Sequence, residues 1–194
     1  MTKHTLRRDK RGVAALEFAL IAPGLLMLTM GMCELGYQAY VQAVVTGAVQ
    51  KAGRDNTVQG ANFSTVDAAV LAQIRAAVPQ AAFASGYPMR RNYAQFGDIE
   101  PEPFTDVNGN GVRDAGECFT DMNANAAWDA DSGVSGEGGA SDVAVYTVSI
   151  VYPHLMPINH WMGWGSGLTL TSSTILKNQP YASQAGRTYT AVCT

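Results

Sequence analysis

Arg11-Gly-Val-Ala-Ala-Leu-Glu17-Phe18 opens an apolar run that reaches Cys33, and the rest of the chain reads as what this segment carries. From Phe18 to Cys33 no side chain is charged, and between Val13 and Tyr37 the interruptions are Glu17 and Glu34. At about 1.5 Å rise per residue, roughly 20 helical residues span the hydrocarbon core of a bilayer. Residues 13–37 are therefore long enough for a transmembrane helix, provided Glu17 sits near one edge or is neutralised. A lone carboxylate in hydrocarbon is expensive. Pro23 removes a backbone donor and should bend the helix near Ala19. Gly24, Gly31 and Gly36 offer surfaces where another helix can approach closely.

Charge is unevenly placed. Residues 1–12 hold Lys3, Arg7, Arg8, Lys10 and Arg11 against a single acid, Asp9. The formal net charge of the 194-residue chain is −3, so the body beyond this tip is acidic. An acidic body argues against nucleic-acid binding, which needs a basic face. A basic tip beside an apolar run reads as a cytoplasmic leader under the positive-inside rule, with the remainder on the far side of the membrane. There the reducing cytosol no longer applies, so Cys118 and Cys193 form a candidate disulfide, while Cys33 reads as an inert packing residue.

The helical pattern runs on past the membrane. Val41, Val44, Val45, Ala48, Val49 and Ala52 recur at three- and four-residue spacing, which predicts one helix from about Val13 to Ala52 with Gly53 as its stop. Ser64 and Asp67 resemble a capping arrangement for a second helix over Val66–Val78, ended by Pro79. Tyr87–Ile99 reads as one or two strands. Val143–Tyr152 alternates β-branched and aromatic residues, Leu168–Leu176 is a Thr/Ser-rich strand, and Arg187–Cys193 is a short last strand. The expected class is α+β: a long N-terminal helix extending into a small antiparallel-sheet head. The expected segments are a leader (1–12), a transmembrane helix (13–37), a helical extension with the first strands (38–100), an Asp/Asn/Gly-rich insert (101–140) and a C-terminal β region (141–194).

Within the insert, Asp106, Asn108, Asn110, Asp114 and Glu117 occupy positions 1, 3, 5, 9 and 12 of a calcium loop. Gly111 stands at position 6 and the Val112 carbonyl at position 7. Hard oxygen donors in a flexible ring suit Ca²⁺. Phe104-Thr-Asp106 recurs 15 residues later as Phe119-Thr-Asp121, and Asn123, Asn125 and Asp129 continue the second copy. There Ala126 replaces the turn glycine, and Ser132 stands where the bidentate Glu belongs. Asp131, one residue earlier, is the substitute that the sequence offers. Pro101 and Pro103 precede the first loop, so it resembles the free-standing calcium loops of dockerins and thrombospondin type 3 repeats more than a helix-flanked sensor. Its expected role is structural.

Gly12-Val-Ala-Ala-Leu-Glu17-Phe18 after basic residues resembles the cleavage motif of type IV prepilins and pseudopilins. The longer Arg-Gly-Val-Ala-Ala-Leu-Glu-Phe-Ala-Leu run, Pro23 and Glu34-Leu-Gly36 resemble the TadE-like minor pseudopilins of the Tad (Flp) pilus system, over roughly the first quarter of the chain. The resemblance implies cleavage between Gly12 and Val13, which leaves Glu17 as the fifth residue of the mature chain. It also implies a single-pass inner-membrane protein with its head in the periplasm. Implied partners are other pilins and pseudopilins, the prepilin peptidase, the pilus ATPase and the assembly platform, in a role that primes or caps the filament. A new α-amino group at the membrane edge would pair with the Glu17 carboxylate of a neighbour, making two costly charges tolerable together.

No nucleotide loop, G-x-S-x-G or H-E-x-x-H occurs, and scattered carboxylates at no recognisable spacing make no case for an enzyme or a small-molecule substrate. His154 and His160 read as surface residues, and Trp161 and Trp164 as aromatics packed on the head. The rival reading is a membrane-anchored, calcium-dependent adhesion or binding module.

Overall fold

The computed structural model describes residues 12–56, 62–156, 163, 165–180, 182–184 and 186–193. The basic leader through Arg11, His160, Trp161, Trp164 and Tyr181 lie outside the described residues. The class is α+β: a long N-terminal apolar helix and an antiparallel-sheet head. The chain divides into two compact units, residues 1–41 with 153–168, and residues 42–152 with 169–194.

Helix α1 (Val13–Asn56) contributes to both units and contains Pro23. Its 44 residues make a rod of about 66 Å, roughly twice the thickness of a hydrocarbon core. Residues 13–55 are long and apolar enough to cross a membrane, and the most apolar stretch is unburied by the rest of the chain. Cys33, expected as a packing residue, is exposed: among the described residues nothing covers it.

In the first unit, Glu34 of α1 is 3 % exposed. Its Oε1 lies 3.0 Å from His154 Nδ1, and its Oε2 accepts from the Leu155 and Met156 amides, each at 3.1 Å. One helical carboxylate thus gathers the chain that leaves the strand before it. His154, expected on the surface, turns its side chain inward against Glu34, leaving that side chain 6 % exposed.

In the second unit the distal part of α1 buries Val45, Ala48, Val49 and Ala52, the predicted stripe. The helix passes Gly53 and ends at Asn56. Gly53 serves packing instead of termination: a Cβ there would lie 2.4 Å from Leu176 and 2.6 Å from Thr174. Helix α2 (Phe63–Ala77) is capped by Asn62, whose Oδ1 accepts from Thr65 N. Ser64 lies inside the helix and bonds Asn62, and Asp67 turns to the sheet.

The strands are β1 (Ala82–Phe83), β2 (Met89–Tyr93), β3 (Cys118–Asp121), β4 (Val134–Ser135), β5 (Val143–Pro153), β6 (Gly167–Lys177) and β7 (Thr190–Cys193). Strand β5 is the spine of the larger sheet: β1 and β2 pair with it antiparallel, β4 extends β2, and β6 also pairs with β5. Its Val143, Tyr146, Val148, Ile150 and Tyr152 are buried with Val70 and Ile74 of α2, and this apolar set is the core of the unit. Arg90 of β2 joins α2 to the sheet. It makes paired hydrogen bonds to Asp67, an ion pair to Glu137 and a cation–π contact with the Tyr146 ring at 4.5 Å. Strands β3 and β7 form a separate two-stranded sheet in which Cys118 and Cys193 are register partners, joined by a disulfide.

Candidate functional site

The N-terminal junction comes first. Gly12 precedes α1, and its carbonyl accepts from Leu16 N at 3.1 Å, which starts the helical ladder. Val13 and Glu17 are exposed on the first turns. Glu17 forms no ion pair among the described residues. An exposed carboxylate on an apolar helix is costly in hydrocarbon unless it is paired or lies at the edge.

The insert builds two loops of the same design. Asp106 Oδ1 accepts from Gly109 N at 2.7 Å and Asn110 N at 3.2 Å, and its Oδ2 accepts from Gly111 N at 2.7 Å. Asp121 repeats this with Ala124, Asn125 and Ala126 at 2.7, 3.3 and 2.7 Å. Asn108 and Asn110 each donate Nδ2 to Asp114 Oδ2, at 2.7 and 2.8 Å. Asn123 and Asn125 donate to Asp129 Oδ2 at 2.7 and 2.6 Å. Short polar side chains that bond the backbone two to five residues on are what fold both stretches. The Gly111 amide, with those of Gly109 and Asn110, holds the Asp106 carboxyl below its usual range.

The turn chemistry differs between the copies. Gly109 and Gly111 have φ of 73° and 76°; their counterparts Ala124 and Ala126 are held at 64° and 61°. Alanine disfavours this left-handed region, so the second loop keeps the shape against local preference. Val112 is exposed at position 7 of the first loop.

Glu117 closes the first loop. Its Oε1 accepts from Val107 N at 2.8 Å and its Oε2 from Asp114 N at 2.9 Å, the amides of positions 2 and 9. Asp131, the candidate for the same role in the second loop, turns away. It accepts from Tyr93 OH at 2.6 Å and Gly133 N at 3.0 Å, and pairs with Arg91. Glu102 stands in its place. Glu102 Oε1 accepts from Met122 N at 2.8 Å and Oε2 from Asp129 N at 3.1 Å, again positions 2 and 9. The signal was in the sequence, because the 15-residue repeat extends two residues upstream: Glu102-Pro-Phe104 against Glu117-Cys-Phe119. Backbone pairing makes the exchange possible. Phe104 bridges Phe119 antiparallel, Thr120 N bonds Pro103 O, and Glu102 N bonds Asp129 O.

Among the described residues no group of three His, Cys, Asp or Glu side chains converges as a metal site. The groups that do converge in each loop are carboxylates and Asn amides, and a half-turn of an amide exchanges its donor face for its acceptor oxygen.

An apolar helix of membrane-spanning length, followed by an α+β head and carrying an exposed carboxylate on its first turns, fits a single-pass membrane anchor. Residues 12–54 match the family model described as TadE-like protein. Over that segment, less than a quarter of the 194 residues, the chain is similar to TadE-like proteins of Tad pilus systems. No curated protein and no solved structure matches the chain.

Proposed function

We propose that this chain is a minor pseudopilin of Tad pilus biogenesis, held in the inner membrane by α1 with its leader in the cytoplasm and its head in the periplasm. Cleavage between Gly12 and Val13 exposes an α-amino group, and Glu17 pairs with the same group on a neighbouring pilin. The pair sets the axial register of packed helices as the filament is primed or capped. The single observation that supports this most is coincidence of position: the family match begins at Gly12, α1 begins at Val13, and Glu17 lies exposed one turn later. The N-terminus of the mature protein tests it. Mass spectrometry of the protein from cells with active prepilin peptidase should find Val13 first; intact residues 1–12 would remove the reading.

We also infer that the loop from Asp106 to Glu117 holds a structural Ca²⁺. The template positions of Asp106, Asn108, Asn110, Asp114 and Glu117, and the Val112 carbonyl between them, support this. Such an ion would neutralise the carboxylates of a long polar insert and give the head a rigid face for its partners. The adhesion-module alternative shares the calcium and lacks the filament, so the N-terminal result separates the two.

A further inference from the structure

Glu34 stands 21 residues beyond Val13, which is about 31 Å along a helix. The hydrocarbon core of a bilayer is about 30 Å thick, and the basic leader ends just before Val13, so a spanning α1 carries Glu34 to the far hydrocarbon boundary. A carboxylate facing lipid at that depth is costly. The chain withdraws it: Glu34 is 3 % exposed, with His154 Nδ1 at 3.0 Å and the Leu155 and Met156 amides each at 3.1 Å. These partners lie 120 to 122 residues further along the chain. A group bonded to the carboxylate shares its height along the helix, so the start of the β5–β6 connection lies at the boundary too. The surface at this height is apolar. Leu155 is 49 % exposed, and Leu35 and Tyr40, in the same unit, are 67 % and 52 % exposed. Residues 153–168 contain no Asp, Glu, Lys or Arg. Tyr37 and Tyr40 fall about 36 and 40 Å from Val13, inside a bilayer whose thickness with headgroups is about 40–45 Å. Tyrosine is enriched in that layer.

We propose that the chain leaving β5 makes a second contact with the membrane. The Leu155 side chain seats in the headgroup layer of the leaflet where α1 leaves the bilayer, and the Glu34 clasp sets its depth. The occupant of this surface is lipid because height decides it. The groups bonded to Glu34 lie where acyl chains meet headgroups, and the exposed apolar side chains of α1 reach the same height through Met32 and Leu35. The clasp therefore does two things at once. It satisfies a carboxylate that lipid would not tolerate, and it brings an uncharged segment with an exposed leucine to the boundary. A single spanning helix is free to turn about its axis. A contact at one point on its circumference fixes which side of α1 meets lipid at the boundary and which side is left for a neighbouring helix. The inference rests on the reading of α1 as a membrane anchor and adds a contact made by a distant part of the chain.

Fluorescence quenching on the full chain in vesicles of phosphatidylethanolamine and phosphatidylglycerol tests it. Cys33→Ser removes the free thiol. One fluorophore is then attached through Leu155→Cys or, as the reference, through Leu25→Cys. Leu25 lies about 18 Å from Val13, near the bilayer centre. Both leucines are exposed, so the substitutions leave the packing intact. The vesicles carry a nitroxide either on the lipid headgroup or midway along the acyl chain. At position 155 the headgroup nitroxide should quench more strongly than the mid-chain one, and at position 25 the order should reverse. Glu34→Ala should abolish most of the quenching at 155 and leave that at 25 unchanged. Mid-chain quenching at 25 with no quenching at 155 overturns the second contact and leaves the anchor standing. No quenching at 25 overturns the membrane reading of α1, and the second contact with it. Quenching at 155 that survives Glu34→Ala overturns the clasp as the device that sets the depth.

Discussion

Replacing both Cys118 and Cys193 with Ala removes the cross-link that closes the C-terminal part of the head. The two cysteines are 75 residues apart, and the loop between them contains β4, β5 and β6. Strand β7 is four residues long, and a two-stranded ribbon of that size is marginal by itself. The cross-link therefore constrains the unfolded chain far more than the ladder secures the folded one. Chain-entropy arithmetic for a loop of this length gives a loss of about 4.5 kcal/mol at 25 °C. For a chain of this size that lowers the melting temperature by roughly 9–18 °C. The assay is thermal and urea unfolding of the detergent-solubilised protein, followed by circular dichroism, for the natural protein with and without reductant and for the double variant. Reduced natural protein should match the variant. A loss below about 1 kcal/mol in both would refute the claim that this cross-link governs the stability of the head.

Arg90→Met should destabilise the head by about 1–3 kcal/mol in urea unfolding, because the half-buried Asp67 and Glu137 would lose their hydrogen-bonded counter-charge. Alkaline titration should find late tyrosines. Burial, then the bond to Asp98, pushes Tyr189 up to about 12, and burial with carboxylate partners raises Tyr93 and Tyr146 as well. A phenol whose folded pKa is raised stabilises the fold below its unfolded value near 10 and loses that contribution as pH climbs through the folded value. Stability should accordingly fall from pH 10 upward, and Tyr189→Phe should remove the phenolate transition near 12 in ultraviolet absorbance. Glu34→Ala should release the segment after β5, seen as faster deuterium exchange at the Leu155 and Met156 amides with α2 unchanged.

Residues whose roles are set by their neighbours along the chain were legible in sequence. The apolar run of α1 and its distal stripe, the alternation in β5 and the length of β6 all come from periodicity, and the loop from Asp106 to Glu117 from fixed spacing. The rest depends on partners distant in sequence. Strands β1 and β4 are two residues each, too short to carry a period, and exist because β5 and β2 offer open edges. Gly53 looked like a helix stop because glycine ends many helices; Thr174 and Leu176, over a hundred residues away, use its missing side chain. Asp67 looked like part of a cap because its natural partner, Arg90, belongs to another element. Asp131 was the nearest acid to the position expected for the closing ligand, but Tyr93 and Arg91 claim it. Glu102 was visible only once the repeat was extended upstream, since the carboxylate that ends one copy is the one that begins the other.

The central claim is that α1 joins this protein to a pilus through its apolar face. Site-specific photocrosslinking from exposed positions such as Leu20, Leu25 and Met32 tests that face in cells that express the Tad system. The account predicts adducts with pilin or pseudopilin subunits from one side of the helix, lost when Glu17 is replaced by Ala. Membrane-inserted protein that gives no adduct with any pilus component from any of these positions would contradict it.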